Sequence, residues 1–177
     1  MDIVLMGMGT TKMHRKITKR IANQLLYLES HNKEVIKEDC DLTYYGKRSE
    51  GGYLVDISQI ADVQNFVDNV ITQLNTVNPD IMLISDEKII YSKNGVRVAG
   101  FPDLVVEVWS DSNTPYEINF KKTLYSTAPT TEQWYINQDS PVFERYIGEE
   151  KLTALDLREI VHTKDGYAID LRELFSE

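Results

Sequence analysis

Residues 100–125, GFPDLVVEVWSDSNTPYEINFKKTLY, decide how the chain folds and where its chemistry sits. From Asp103 to Trp109 the run is dense in β-branched residues, with Gly100-Phe101-Pro102 before it and Ser110-Asp111-Ser112-Asn113 after it. That pattern predicts a buried central strand ending in a polar turn. Glu107 stands between Val106 and Val108, and Asp103 lies four residues earlier on the same strand face. A carboxylate among valines is costly to bury unless a metal ion or another cation pairs it. Beyond the turn, residues 114–125 read as a helix carrying Lys121 and Lys122.

Outward from this core, Asp80–Ser85 (DIMLIS) predicts a second buried strand, opened by Asp80 directly after Pro79. Lys93-Asn94-Gly95 joins residues 88–91 and 96–99 as a hairpin. Strands are expected at 133–137 and 142–147, split by Asp139-Ser140-Pro141, then at 151–155 and 160–162, with 167–175 closing the chain. Towards the N-terminus, residues 2–6 and 35–37 read as short strands. Ile17, Ile21, Leu25 and Leu28 recur at helical spacing from Thr11 to about Glu29. Residues 42–54 are rich in tyrosine and glycine around a loop at 46–52. Asp56 with Gln59 resembles a capping box for a second amphipathic helix running to Leu74, before Asn78-Pro79. The order predicts one domain over 1–177, of α/β (α+β) class, built on one mixed sheet with flanking helices and extra antiparallel strands.

A composition of 42% hydrophobic and 27% charged residues is that of a globular protein. The single Cys40 excludes an internal disulfide and suits a reducing compartment. The first ten residues lack the features of a signal peptide, and no apolar run approaches the ~20 residues of a membrane span, so a cytoplasmic protein away from the membrane is expected. The net charge of −9 argues against a generic nucleic-acid binder. One basic stripe, KMHRKITKR at 12–20, stands apart from that acidic body. Arg15 and Lys19 there, and Lys47 and Arg48 in the 46–52 loop, are the candidate phosphate contacts. The plainer reading is a solvated helix face and a solvent loop.

Two strands thus bring one acid each, Asp80 and Glu107, and the following helix brings Lys121. Two oxygen ligands beside a lysine suit Mg²⁺ or Mn²⁺, hard ions that take carboxylates and retain waters. Such an ion generates hydroxide near neutral pH and stabilises charge on a phosphoryl oxygen. Asp103 is either a third ligand or an acid of the strand edge. Ser110 has no histidine near it in sequence, so a hydrolase triad lacks support. Trp109, Tyr116, Phe120 and Trp134 read as core aromatics rather than base-stacking platforms.

The full pattern is more specific. Asn78-Pro79-Asp80 before an apolar strand is followed by PDLVVEV at 102–108, then Lys121 before Leu124-Tyr125, then Glu132-Gln133-Trp134 before another strand. His14 opens a helix, and IDLRELF (169–175) closes the chain. This order resembles the Uma-two family of bacterial domains in the PD-(D/E)XK (restriction endonuclease-like) nuclease superfamily. The resemblance implies a metal-dependent endonuclease that hydrolyses DNA, with Mg²⁺ or Mn²⁺ on Asp80, Glu107 and the Val108 backbone carbonyl, and Lys121 as the catalytic lysine. Trp109 stands where the superfamily's strand lysine would be, and the resemblance implies that Lys121 replaces it from the helix, as in the Uma-two domains. A homodimer would let so small a nuclease reach both strands of a duplex. The alternative from another class is the same fold without chemistry, acting as a binding or interaction module.

Overall fold

Thr11 starts the first helix: its hydroxyl accepts the His14 N–H at 3.1 Å. Helix α1 (Lys12–Leu25) then buries Ile17, Ile21 and Leu25 and runs on as a 3₁₀ segment to His31. In this computed structural model, residues 11–37, 41–140, 142–152 and 157–176 are described. The strand expected at 2–6 lies outside them, as do residues 153–155 of the one expected at 151–155.

Strand β1 (Lys33–Lys37) is followed by the hairpin β2 (Asp41–Lys47) and β3 (Gly51–Leu54). Next come the short helix α2 (Val63–Asn65), β4 (Asn75–Val77), β5 (Ile81–Ser85), β6 (Ile90–Tyr91), β7 (Arg97–Ala99) and β8 (Leu104–Trp109). Helix α3 (Pro115–Ser126) leads to β9 (Glu132–Asn137), β10 (Phe143–Ile147), β11 (Glu150–Lys151), β12 (Ile160–His162) and β13 (Ala168–Asp170). The main sheet has the order β1-β5-β8-β9-β10-β11. Its β8–β9 pair is parallel, with α3 as the crossover, and its other pairs are antiparallel. A second sheet, β3-β2-β7-β6 with β4 on β2, and a β12–β13 ribbon complete the fold.

Both faces of the main sheet are covered, which is why β5, β8 and β9 read as unbroken apolar runs. Leu83, Val106, Val108 and Trp134 point to α1, against Ile17, Ile21 and Leu25. Met82, Ile84, Val105 and Tyr135 point the other way, to Leu124 and Tyr125 of α3 and to Leu42, Tyr44 and Val98 of the second sheet. By the period of two, Asp103 and Glu107 share the α3 side with Val105.

The amphipathic helix expected up to Leu74 is shorter and irregular. Asp56 accepts the Ser58 N–H at 3.0 Å and closes a single 3₁₀ turn, Ile57–Gln59, after which Ile60 is extended. Asp62 caps α2 instead, accepting the Asn65 N–H at 2.9 Å. The helix then widens to a π stretch (Phe66–Val70) and ends in a 3₁₀ turn (Ile71–Gln73). Phe66 and Ile71 are both buried, and a five-residue spacing reaches one face only where the helix is widened to the π form.

Candidate active site

The antiparallel register pairs Ile81 with Val106 and Met82 with Val105. Asp80 stands in the bend one residue before β5, which brings it beside Glu107 at the end of the β5–β8 pair. Asp80 Oδ2 accepts the backbone N–H of Val108 at 2.7 Å, which fixes the carboxylate to the neighbouring strand. Its Oδ1 lies 3.1 Å from Nε2 of His14, on the first turn of α1. In an extended strand a residue's N–H and C=O point to the same side, so the Val108 carbonyl faces the Asp80 side of β8.

Glu107 is 1% exposed and both its oxygens are bonded. Oε2 accepts from Lys121 Nζ and Oε1 from the Tyr125 hydroxyl, each at 2.7 Å. Lys121 and Tyr125 are one helical turn apart on α3, so one face of that helix delivers both donors. Lys121 Nζ also donates to the Asn78 carbonyl at 3.1 Å, just before Asp80 in the chain. Thr114 caps α3 by accepting the Glu117 N–H, and Pro115 occupies its first turn.

Burial is the largest influence on Glu107 and pushes its carboxyl up to about 7, helped by the charge of Asp80 and opposed by Lys121. Burial disfavours the Lys121 ammonium, but Glu107 and then Asp80 outweigh it and hold the group above the usual lysine range. Burial likewise raises the Tyr125 phenol well above its ordinary value, reinforced by Glu107. The lysine is therefore a cation and the tyrosine a proton donor at neutral pH.

Asp103 is placed elsewhere. Four residues from Glu107 along a strand is about 13 Å. Its 3% exposed carboxylate is held by Lys33 at 2.9 Å, Lys88 at 2.5 Å and the Ser85 hydroxyl. Burial opposes its charge, but the bonds from Lys88, Ser85 and Lys33 win and draw it below the ordinary aspartate range. Arg15 and Lys19 are exposed on α1, whereas Lys16 and Arg20 of the same stripe bond C-terminal carbonyls, including that of Ser176. Lys47 and Arg48 are exposed at the β2–β3 turn, with Lys47 paired to Glu50 at 3.4 Å.

His14 and Tyr125 are the neighbours that sequence reasoning did not assign. Each stands in a stretch already singled out, but neither contact follows from spacing. Among the described residues, no three His, Cys, Asp or Glu side chains group as a metal site. The oxygens present are two carboxylates and a backbone carbonyl. That hard donor set suits Mg²⁺ or Mn²⁺, which complete their shells with water or phosphate oxygens.

The family model Uma2, described as "Putative restriction endonuclease", matches residues 2–172. Among solved structures, the chain is similar to one titled as a putative nuclease belonging to DUF820, from Anabaena variabilis. The TM-score is 0.64 at 13% identity, over 93% of this chain and 81% of that one, a likeness of fold. No curated protein matches the chain.

Proposed function

The chain belongs to the Uma2 family, and from that premise we propose that it is a divalent-metal-dependent endonuclease hydrolysing DNA phosphodiester bonds at Asp80, Glu107 and Lys121. The observation that carries this reading is the meeting of three elements. Lys121 of α3 lies 2.7 Å from Glu107 of β8, while Asp80, before β5, bonds the N–H of Val108 next to it. Asp80, Glu107 and the Val108 carbonyl would hold Mg²⁺ or Mn²⁺, leaving Asp103 to its two lysines. When bound, the ion supplies Lewis-acid polarisation and a hydroxide near neutral pH.

The protein's own groups supply the rest. Val108 N–H and His14 orient Asp80, and Tyr125 orients Glu107. Lys121 remains an ammonium and stabilises the charge that develops on the phosphoryl oxygens. Arg15, Lys19, Lys47 and Arg48 are the proposed phosphate contacts, and a homodimer would place two such sites on a duplex.

One observation favours the alternative of a binding module. Both Glu107 oxygens are already bonded within the protein, and its carboxyl is held at about 7, so it is satisfied without an ion. Nicking of supercoiled plasmid with Mn²⁺ at low salt separates the two readings. The nuclease reading expects cleavage by the parent and a loss of roughly a hundredfold or more in Lys121→Met. A parent inactive across metals and DNA forms would refute the nuclease reading and leave the binding module. Equal activity in parent and variant would remove Lys121 from the mechanism.

A further inference from the structure

Of the four aromatics read as core, Trp134 is fully buried, Trp109 stacks on Tyr135 at 4.6 Å, and Phe120 meets Tyr44 edge-on at 5.6 Å. Tyr116 is different, at 57% exposed. It is nevertheless held in place. Its hydroxyl donates to the Arg48 carbonyl at 2.8 Å, and the Arg48 guanidinium lies 5.7 Å from its ring centroid and 5.4 Å from that of Phe120. Arg48 sits at the turn of the β2–β3 hairpin, which is tied to α3 at its other end, where Leu54 N–H donates to Thr127 Oγ1 at 3.0 Å. The tight turn needs glycine at 46: φ is +98° there, and a Cβ would come within 2.5 Å of the Gly51 carbonyl oxygen.

We propose that Tyr116 and Arg48 form a stacking site for an unpaired nucleobase, so that the strand delivered to Lys121 is single-stranded or locally melted DNA. This rests on the nuclease reading above. A ring already fixed loses little freedom when a base stacks on it, and a guanidinium beside it serves both the base face and the adjoining phosphate. Tyr116 precedes Lys121 by five residues, about 7.5 Å along the α3 axis. Phe120, under the same guanidinium, adjoins Lys121 in the chain. A net charge of −9, with Glu117 and Glu50 nearby in sequence, disfavours a grip made mainly of phosphate contacts. Stacking carries no such dependence on net charge.

The test is fluorescence anisotropy of a labelled oligothymidylate, and of its duplex with oligoadenylate, in EDTA at low salt. The parent is expected to bind the single strand more tightly than the duplex. Tyr116→Ala and Arg48→Ala should each weaken single-strand binding about tenfold or more. Tyr116→Phe, which keeps the ring, should stay near the parent, and Tyr116→Leu reads the same loss as alanine without emptying the position. Tyr53→Ala is the control, an equally exposed ring at 57% that packs on Tyr45 instead. Parental affinity in Tyr116→Ala and Tyr116→Leu, or an equal loss in Tyr53→Ala, overturns the inference. Binding to duplex alone overturns it and leaves the nuclease reading standing. No binding to either DNA form overturns it too, and the nuclease reading then rests on plasmid cleavage with Mn²⁺.

Discussion

Lys121→Met should destabilise the metal-free protein more at high pH than at low pH. The substitution keeps most of the aliphatic stem and deletes the ammonium 2.7 Å from Glu107. In the parent, the folded Glu107 carboxyl sits at about 7 against an ordinary 4.5. Between those values the native state holds a proton that the unfolded chain has released, so stability falls as pH rises through that window, by about 3 kcal/mol. Above about pH 7 the parental carboxyl is ionised and the slope ends. Removing Lys121 deletes the main influence holding Glu107 down, so the variant's window extends upward. Each further pH unit then costs about 1.4 kcal/mol that the parent does not lose. The lysine is fully charged throughout this range and adds no slope of its own. Urea unfolding in EDTA at about pH 6 and about pH 8 reads the difference. At the lower pH the variant should lose about 1 kcal/mol, the worth of its bond to the Asn78 carbonyl. At the higher pH the penalty should be larger by about 1.4 kcal/mol. Equal penalties at the two pH values would refute the buried, charge-coupled Glu107–Lys121 pair.

Tyr125→Phe leaves one oxygen of a buried carboxylate without its donor, so it should cost about 1–3 kcal/mol by the same urea assay, with an unchanged far-UV spectrum. Asp103→Asn strands Lys33 and Lys88 and should cost about 3–5 kcal/mol. Because the Asp103 pKa is depressed, its contribution is present above the ordinary aspartate value and fades as pH falls below it, so acid melts of parent and variant should converge. Lys122→Met is not silent either. Its ammonium pairs with Glu144 at 2.5 Å and lies 5.1–5.5 Å from the rings of Trp109, Tyr135 and Tyr146, so a loss of about 1–2 kcal/mol in thermal unfolding is expected.

Strong local patterns carried the reading of the fold. The valine-rich run at 104–108 has both faces buried, and the spacing of Ile17, Ile21 and Leu25 matches one face of α1, so burial itself wrote those signals. The closeness of Asp80 and Glu107 follows from two such strands once they pair with the observed register. Contacts made between distant elements left no such trace. Whether Asp103 meets an ion or two lysines depends on where β1 and the turn after β5 lie. His14 reaches Asp80 only because α1 packs across the sheet. Residues 56–73 misled because two aspartates offer caps, and the π stretch shifts the apolar phase midway. Tyr116 looked like core because aromatic rings dominate cores, yet it stands exposed with its hydroxyl bonded to the hairpin turn.

The central claim is that Asp80 and Glu107 hold one divalent ion. Electron paramagnetic resonance titration of Mn²⁺ into the parent, Asp80→Asn, Glu107→Gln and Asp103→Asn tests it without recourse to DNA. The account predicts a single site in the parent, retained in Asp103→Asn and lost in both Asp80→Asn and Glu107→Gln. Parental Mn²⁺ affinity in folded Glu107→Gln would contradict it.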